Sequence, residues 1–523
     1  MNDQKHFPMA DAVRAAYAQG QEDEAMEPIV LEETSGAPVG RINEGDYVIF
    51  YDIRGEREIQ LTECFVDPGF SHFPIDGLQA HFATMIQYDP KLNVRVAFPP
   101  QEKLKNTLCE VVTKAGLKVT KVVETEKAVH LSFFLNGKNR EAFSGENRNY
   151  IPSPKVDDYS QHPKMQVEKV AAAVVKEIAD KENALIIANF ANTDVIGHVE
   201  NREAVIQAIE AVDQSVGKVV QAAREAGMDV LITADHGSAE RWYYPDGAID
   251  TGHTDSPVPF IHIESGAKKN AATNKNLEIR GSLADVAPTA INLMGLEVPS
   301  EMTGKPLHRV CLRGSGDFNR VFLLIADGWG YNSNSEGNLI AEANTPNMDS
   351  LIKAYPTVLL HASGEAVGMP KGTVGNSEAG HLHIGAGRTV YSDRLRIDRS
   401  LGDKSFFENP AFVWAMDGAV KNGKNLHLLG IISFYSSHGS LDHLMALMRM
   451  AQARRVPNVF IHGLLGRRGE RPEAGAAYME DVEKEGERLG VGQAVTVIGR
   501  HWALDREHNW DRIEKTYRAL VQG

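Results

Sequence analysis

The chain is 523 residues long, 42% hydrophobic and 24% charged, and its 55 lysines and arginines against 70 aspartates and glutamates leave a formal net charge of −15. No apolar run approaches the ~20 residues that span a bilayer, so no membrane span is expected, and the acidic balance argues against nucleic acid as a partner. Three widely spaced cysteines, Cys64, Cys109 and Cys311, without a CxxC pattern, argue against a disulfide framework and a thiolate zinc site.

The opening stretch "MNDQKHFPMADAV" lacks a basic segment followed by an apolar one, so no secretory signal is read there and the cytoplasm is the expected compartment. At roughly 150 residues per domain, two to four domains are expected, with ample chain for large cores. Runs rich in β-branched residues predict strands at 47–53, 129–135, 184–190, 230–237, 321–330, 425–432, 458–465 and 494–499. Helical patterns lie between them. From Arg202 to Glu225, Val205, Ile209, Val212, Val216 and Val219 recur in three- and four-residue steps, which predicts one buried helical stripe. Strands alternating with long helices predict an α/β fold with largely parallel sheets. Three stretches read as punctuation: "RVAFPPQEK" (95–103), "RGSGD" (313–317) and the polar region 398–410. At least two α/β units are expected.

Several polar residues stand just after predicted strands, where open α/β sheets place their ligand crevices. Asp194 and His198 lie in "NFANTDVIGHVE", Asp235 and His236 in "LITADHGSAE", His253 in "DTGHTDSPVP" and Asp327 in "LLIADGWG". Ser377 lies in "TVGNSEAGH" (373–381). Taken singly, the aspartates read as caps or turn residues, the histidines as structural ones, and Ser377, beside Asn376, as a helix cap. Taken together, three aspartates, three histidines and a serine suit two divalent cations such as Mn²⁺ or Zn²⁺. Such a pair stabilises attacking and leaving oxygens in phosphoryl transfer and makes a coordinated serine a usable nucleophile.

A second set is cationic: Arg54 and Arg57 in "YDIRGEREIQ", Lys127 in "ETEKAVH", Arg467, Arg468 and Arg471 in "GLLGRRGERPE", and Arg500 and Arg506 in "VIGRHWALDRE". Guanidinium forks suit a substrate carrying phosphate and carboxylate. A solvated, ion-paired face is the competing reading, with Glu56 and Asp505 as neighbouring partners.

The motifs "LLIADGWG", "NTPNMD", "ASGEAVGMPKGTVGNSEAGHLHIGAGRTVYSDRLRID", "IPSPKV", "ANTDVIGHVE", "TADHGSAE" and "GHTDSPVP" resemble the cofactor-independent (2,3-bisphosphoglycerate-independent) phosphoglycerate mutases of the alkaline-phosphatase-like superfamily. The segment order is rotated relative to that family. There the "DGWG" and "GNSEAGH" segments open the chain and the "ANTD" and "ADHG" segments close it, so a circular permutation is expected here, with "CLRGSGDFN" as the joint. The resemblance implies a metal-binding phosphatase-like domain over 102–392, and a substrate-binding domain assembled from 1–101 and 393–523. It also implies that Asp194, His198 and His253 hold one metal, and Asp327, Ser377, Asp235 and His236 the other. His438, Arg468, Arg500, Arg506, Arg54, Arg57 and Lys127 are expected to contact substrate.

Two stretches depart from the family pattern. "SFYSSHGS" keeps His438 but replaces the Asp-Gly-Gly before it, and "GRRG" puts Gly469 where the family has an aspartate. The expected activity is interconversion of 3- and 2-phosphoglycerate through phosphorylated Ser377, with two metal ions, Mn²⁺ preferred and Zn²⁺ the alternative, without 2,3-bisphosphoglycerate, by a monomer. The departures keep open a metal-dependent phosphatase, or a mutase for another small phosphorylated metabolite. A binding protein without catalysis is the third reading.

Overall fold

The computed structural model describes residues 6–75, 77–101, 103–156, 158–267, 277–307, 318–433, 438–466 and 473–523. In chain order the strands are β1 (Ile29–Val30), β2 (Tyr47–Phe50), β3 (His81–Ile86), β4 (Arg95–Phe98), β5 (Lys118–Glu124), β6 (Glu146–Ile151), β7 (Asn183–Phe190) and β8 (Asp229–Thr233). They continue as β9 (Val258–Ile263), β10 (Ile279–Ser282), β11 (Val321–Ala326), β12 (Thr357–His361), β13 (Leu426–Ile431), β14 (Val459–Leu465) and β15 (Gln493–Gly499). Two compact α/β units result, one of residues 1–101 with 396–523 and one of residues 102–395.

The first unit carries a seven-stranded sheet in the order β1-β15-β14-β13-β2-β3-β4, parallel throughout except for β1 at one edge. Strands β2 and β13 are buried along their whole length, as parallel strands covered on both faces must be. The second unit carries eight strands, β10-β12-β9-β8-β11-β7-β5-β6. Only β9 is antiparallel to both its neighbours, β8 and β12. This reversal places the lead-in to β9 at the carboxyl edge of the parallel strands, where an isolated bridge joins Gly237 to Thr254.

The Arg202–Glu225 helix buries Val205, Ile209, Val212, Val216 and Val219 completely. The stretch 129–135, expected as a strand, instead forms a π-helical segment, His130–Phe134. Its buried positions are Leu131 and Leu135, one helical turn apart rather than alternate. Two punctuation readings also change. Strand β4 occupies the first residues of "RVAFPPQEK", and the Asp393–Gly402 helix runs into the polar region at 398. "RGSGD" lies outside the described residues, as does Cys311; Cys64 and Cys109 are buried and unbridged. Among the described residues, no helix is long and apolar enough to cross a membrane.

Candidate metal centre and arginine cluster

In the second unit β8, β11, β7 and β5 are neighbours, so the residues that follow them meet at one sheet edge. Asp235 and His236 follow β8, Asp327 follows β11, Asp194 lies in the first turn of the short Asn192–Gly197 helix after β7, and Lys127 lies just beyond β5. The reversal of β9 brings His253 to the same edge. Gly328, at φ +78, permits one close approach: a Cβ there would meet the Asp194 backbone nitrogen at 2.8 Å.

Ser377 is the first residue of the Ser377–Ala386 helix, not its cap; the cap is Asn376, whose side chain accepts from Ala379 N. The serine hydroxyl is therefore released from capping. It is buried, accepts from Lys127 Nζ at 2.6 Å and faces His236 Nε2 at 3.0 Å. Lys127 also donates to Asp194 Oδ2 at 2.6 Å and Asp327 Oδ1 at 2.9 Å, which occupies its three hydrogens. Burial alone would lower the Lys127 ammonium, but Asp327, Asp194 and Asp235 hold it above its ordinary value.

The donor set calls for cations. Asp194, Asp235 and Asp327 are almost wholly buried around one lysine, a local excess of negative charge that a low-dielectric interior does not tolerate unpaired. Asp194 Oδ1 and Asp235 Oδ2 are buried without a hydrogen-bond partner. His198 Nδ1 lies 2.7 Å from Thr251 O and His253 Nδ1 lies 3.0 Å from Gly375 O. A carbonyl only accepts, so both Nδ1 atoms carry hydrogen, and in the neutral rings both Nε2 atoms present lone pairs. Those two Nε2 atoms face each other at 3.1 Å, with Asp194 Oδ1 at 3.4 and 3.0 Å. Three lone pairs converging on one point fit a divalent metal ion. Around Ser377, His236 Nε2 lies 3.4 Å from Asp235 Oδ2 and 3.5 Å from both Asp327 Oδ1 and Asp194 Oδ1.

The cluster shifts its own carboxyls. For Asp194, burial works upward, but Lys127 and the histidines hold it well below the usual range. Asp235 is lowered too, by His236, His381 and Lys127 against burial. Asp327 is raised, first by burial and then by Asp235.

Two residues of this centre escape a reading of the sequence. His381 Nδ1 donates to Ser377 O at 2.9 Å and also lies 3.2 Å from Asp235 Oδ2 as an electrostatic neighbour, while its Nε2 is 3.0 Å from Asn189 Nδ2. Asn189 Nδ2 also donates to Asp327 Oδ2 at 2.7 Å. Both ring nitrogens are so engaged, although His381 also converges with Asp235 and Asp327 closely enough to form a candidate ligand group. Its signal was the four-residue spacing from Ser377 on one helix face.

The first unit repeats the arrangement with different chemistry. The carboxyl ends of β15, β13 and β2 lead to Arg500 and Arg506, to His438, and to Arg54 and Arg57. The Arg57 guanidinium is lowered first by burial and then by Arg506, Arg500 and Arg54, the repulsion expected of a site built for an anion. Glu56 pairs with Arg506 at 3.0 Å and, more loosely, with Arg54 at 3.8 Å. Asp505, by contrast, pairs with Arg512 and Asn509. Arg468 lies outside the described residues, with Arg467 and Arg471. Lys127 stands with Ser377 in the other unit.

Comparison with known proteins decides the family. The profile of the Metalloenzyme superfamily matches residues 25–298. The chain belongs to that superfamily. A second profile, BPG-independent PGAM N-terminus, matches residues 397–523. Proteins named 2,3-bisphosphoglycerate-independent phosphoglycerate mutase are similar to it. That of Methanococcoides burtonii is 40% identical over 303 residues, 57% of each chain. That of Moorella thermoacetica is 43% identical over 300 residues, 57% of this chain and 56% of the relative. The chain thus spans little more than half the length of the curated relatives it matches. A crystal structure of Leishmania mexicana phosphoglycerate mutase at low cobalt concentration is 28% identical, covers 53% of each chain and has a TM-score of 0.37.

Proposed function

We propose that the protein interconverts 3-phosphoglycerate and 2-phosphoglycerate, without 2,3-bisphosphoglycerate, by way of phosphorylated Ser377. One observation carries this reading: a buried serine oxygen held between Lys127 Nζ and His236 Nε2, beside three carboxylates and two further histidines. The names of the relatives support the substrate.

Asp194, His198 and His253 would hold one divalent ion, and Asp327, Ser377, Asp235 and His236 the other. Bound there, such ions lower the pKa of the serine hydroxyl and draw charge from phosphoryl oxygens. Manganese is the ion this reading prefers, with zinc the alternative. Lys127 Nζ, donating to Ser377 Oγ, steadies the negative charge of the attacking oxygen. The P–O bond to Ser377 forms as the bond to the glycerate oxygen breaks. The arginines of the first unit suit the anionic groups of a phosphoglycerate. In this reading residues 102–395 are the metal-binding unit, and residues 1–101 with 396–523 bind substrate. The match of an N-terminus profile to the C-terminal end supports a circularly permuted order. A monomer acting in the cytoplasm, where phosphoglycerate is made and used, completes the proposal.

The test is incubation of the metal-loaded protein with 3-phosphoglycerate alone. Appearance of the 2-isomer is expected. Release of only inorganic phosphate would overturn the mutase reading in favour of the phosphatase that the "GRRG" departure allows.

A further inference from the structure

The loops that carry the metal-ligand candidates cross at a side chain that takes no part in the chemistry above. Glu240, which follows His236 in the loop after β8, is 0% exposed, and so is Thr254, the neighbour of His253. Glu240 Oε2 accepts from Ser238 N at 2.8 Å, and Glu240 Oε1 accepts from the Thr254 hydroxyl. Ser256 N donates to that same hydroxyl oxygen at 3.3 Å, which leaves the single hydroxyl hydrogen for Glu240. The Glu240 backbone carbonyl accepts from Asn332 Nδ2 at 3.2 Å, on the stretch that follows Asp327. A Cβ at Gly237 or at Gly330 would run into the Glu240 carboxylate, so the chain after β8 and the chain after β11 both close onto it.

Thr254 passes this anchorage on through its backbone. Its N donates to Gly237 O at 3.0 Å, and its carbonyl accepts from Gly375 N at 3.2 Å, in the loop that leads to Ser377. Gly375 O in turn holds His253 Nδ1 at 3.0 Å. The rings of His236 and His253, one from each candidate ligand set, have centroids 3.9 Å apart. A ligand role for Glu240 itself is the competing reading. Against it, both carboxylate oxygens already face donor hydrogens, and among the described residues Glu240 belongs to no group of three donor side chains close enough to share an ion. Nor is it a filler of volume: the two hydrogens aimed at it call for two acceptor oxygens, and an amide of the same shape has one.

We propose that Glu240 is a positioning residue of the metal centre, which fixes the His236 loop against the His253 loop and so brings the two ligand sets into register before any ion arrives. The proposal rests on the metal placement given above, whichever phosphate ester is the substrate. A glutamine at this position sets its NH₂ against either Ser238 N–H or the Thr254 hydroxyl hydrogen, and one of the two ties is lost. Each ligand set then remains whole, but the ordering of one set against the other falls to the ion that binds second.

The experiment uses the full-length protein, stripped of metal and titrated with Mn²⁺ in a calorimeter, with electron paramagnetic resonance reading the spin coupling between bound ions. The parent should bind two ions and give a coupled spectrum. In Glu240→Gln the weaker of the two ions should bind about ten- to a hundredfold less tightly, while the tighter one stays within about threefold of the parent's. The coupled spectrum should be lost at manganese concentrations that saturate the parent. Thr254→Val, which removes the hydroxyl at nearly constant volume, should behave like Glu240→Gln, and Thr254→Ser, which keeps the hydroxyl, like the parent. A parent that binds two ions beside Glu240→Gln and Thr254→Val variants with the same affinities and the same spectrum would overturn the proposal alone. Equal weakening in Thr254→Val and Thr254→Ser would overturn it as well, even if Glu240→Gln fails to fold. A parent that binds fewer than two ions fails the metal placement, and the proposal with it.

Discussion

Ser377 sits in a buried network in which its neighbours have competing partners, so its hydroxyl is replaceable structurally, though not in the proposed reaction. Without it Lys127 keeps two carboxylates and the helix keeps its Asn376 cap. Ser377→Ala is therefore expected to melt close to the parent while isomer formation falls by at least about a thousandfold, as for loss of a nucleophile. Phosphate on the intact chain, seen by mass spectrometry after incubation with substrate, should disappear with it. A variant that still isomerises would remove Ser377 from the mechanism. The serine was legible because its loop is rich in glycine and precedes a helix; that it opens the helix instead of capping it was not, since Asn and Ser compete equally for the cap. Glu58 was hidden for a different reason. Preceded by Arg54 and Arg57 in sequence, it reads as a surface ion-pair partner, and only the fold turns it inward to His438.

The elements that present these residues depend on contacts that no periodicity reveals. The Arg202–Glu225 helix was legible from its stripe, yet the same helix buries Asp213, which accepts from Met348 N at 2.7 Å and from Asn347 Nδ2 at 2.8 Å. A carboxylate from one helix thus caps the Pro346–Ala354 helix inside "NTPNMD". Asp213→Ala should cost about 2 kcal/mol in denaturant unfolding, because buried N–H groups lose a charged acceptor, and Asp213→Asn distinctly less. Equal costs for the two would show that packing, not capping, is lost. The apolar run at 129–135 failed as a strand reading because apolar composition alone does not separate strand from buried helix. His253 could be named from its motif, but its delivery to the cluster depends on the antiparallel course of β9, which pairing with β8 fixes and local sequence does not.

Each unit has its own hydrophobic core, one built on the sheet around β13 and the other on the sheet around β11. The general plan, α/β with mainly parallel sheets, followed from strand and helix alternation; short strands such as β1, β6 and β10 carry too few apolar residues to be anticipated. In both units the candidate chemistry stands beyond the carboxyl ends of parallel strands, but its sign differs: an excess of buried carboxylates in one, of guanidinium groups in the other. This separates their response to chelation. Removing divalent ions should leave Asp194, Asp235 and Asp327 facing one another with Lys127 as the one fixed positive charge among them in the described residues, and the repulsion acts where β7, β8 and β11 end. Hydrogen exchange of the amides at those strand ends should therefore accelerate on chelation and slow again when Mn²⁺ is restored, because ligand binding stabilises by mass action only the structure that contains the site. Amides of β2 and β15, whose ends lead to arginines, should be unaffected. Acceleration spread equally over both units, or none at all, would contradict a metal centre confined to the Ser377 cluster.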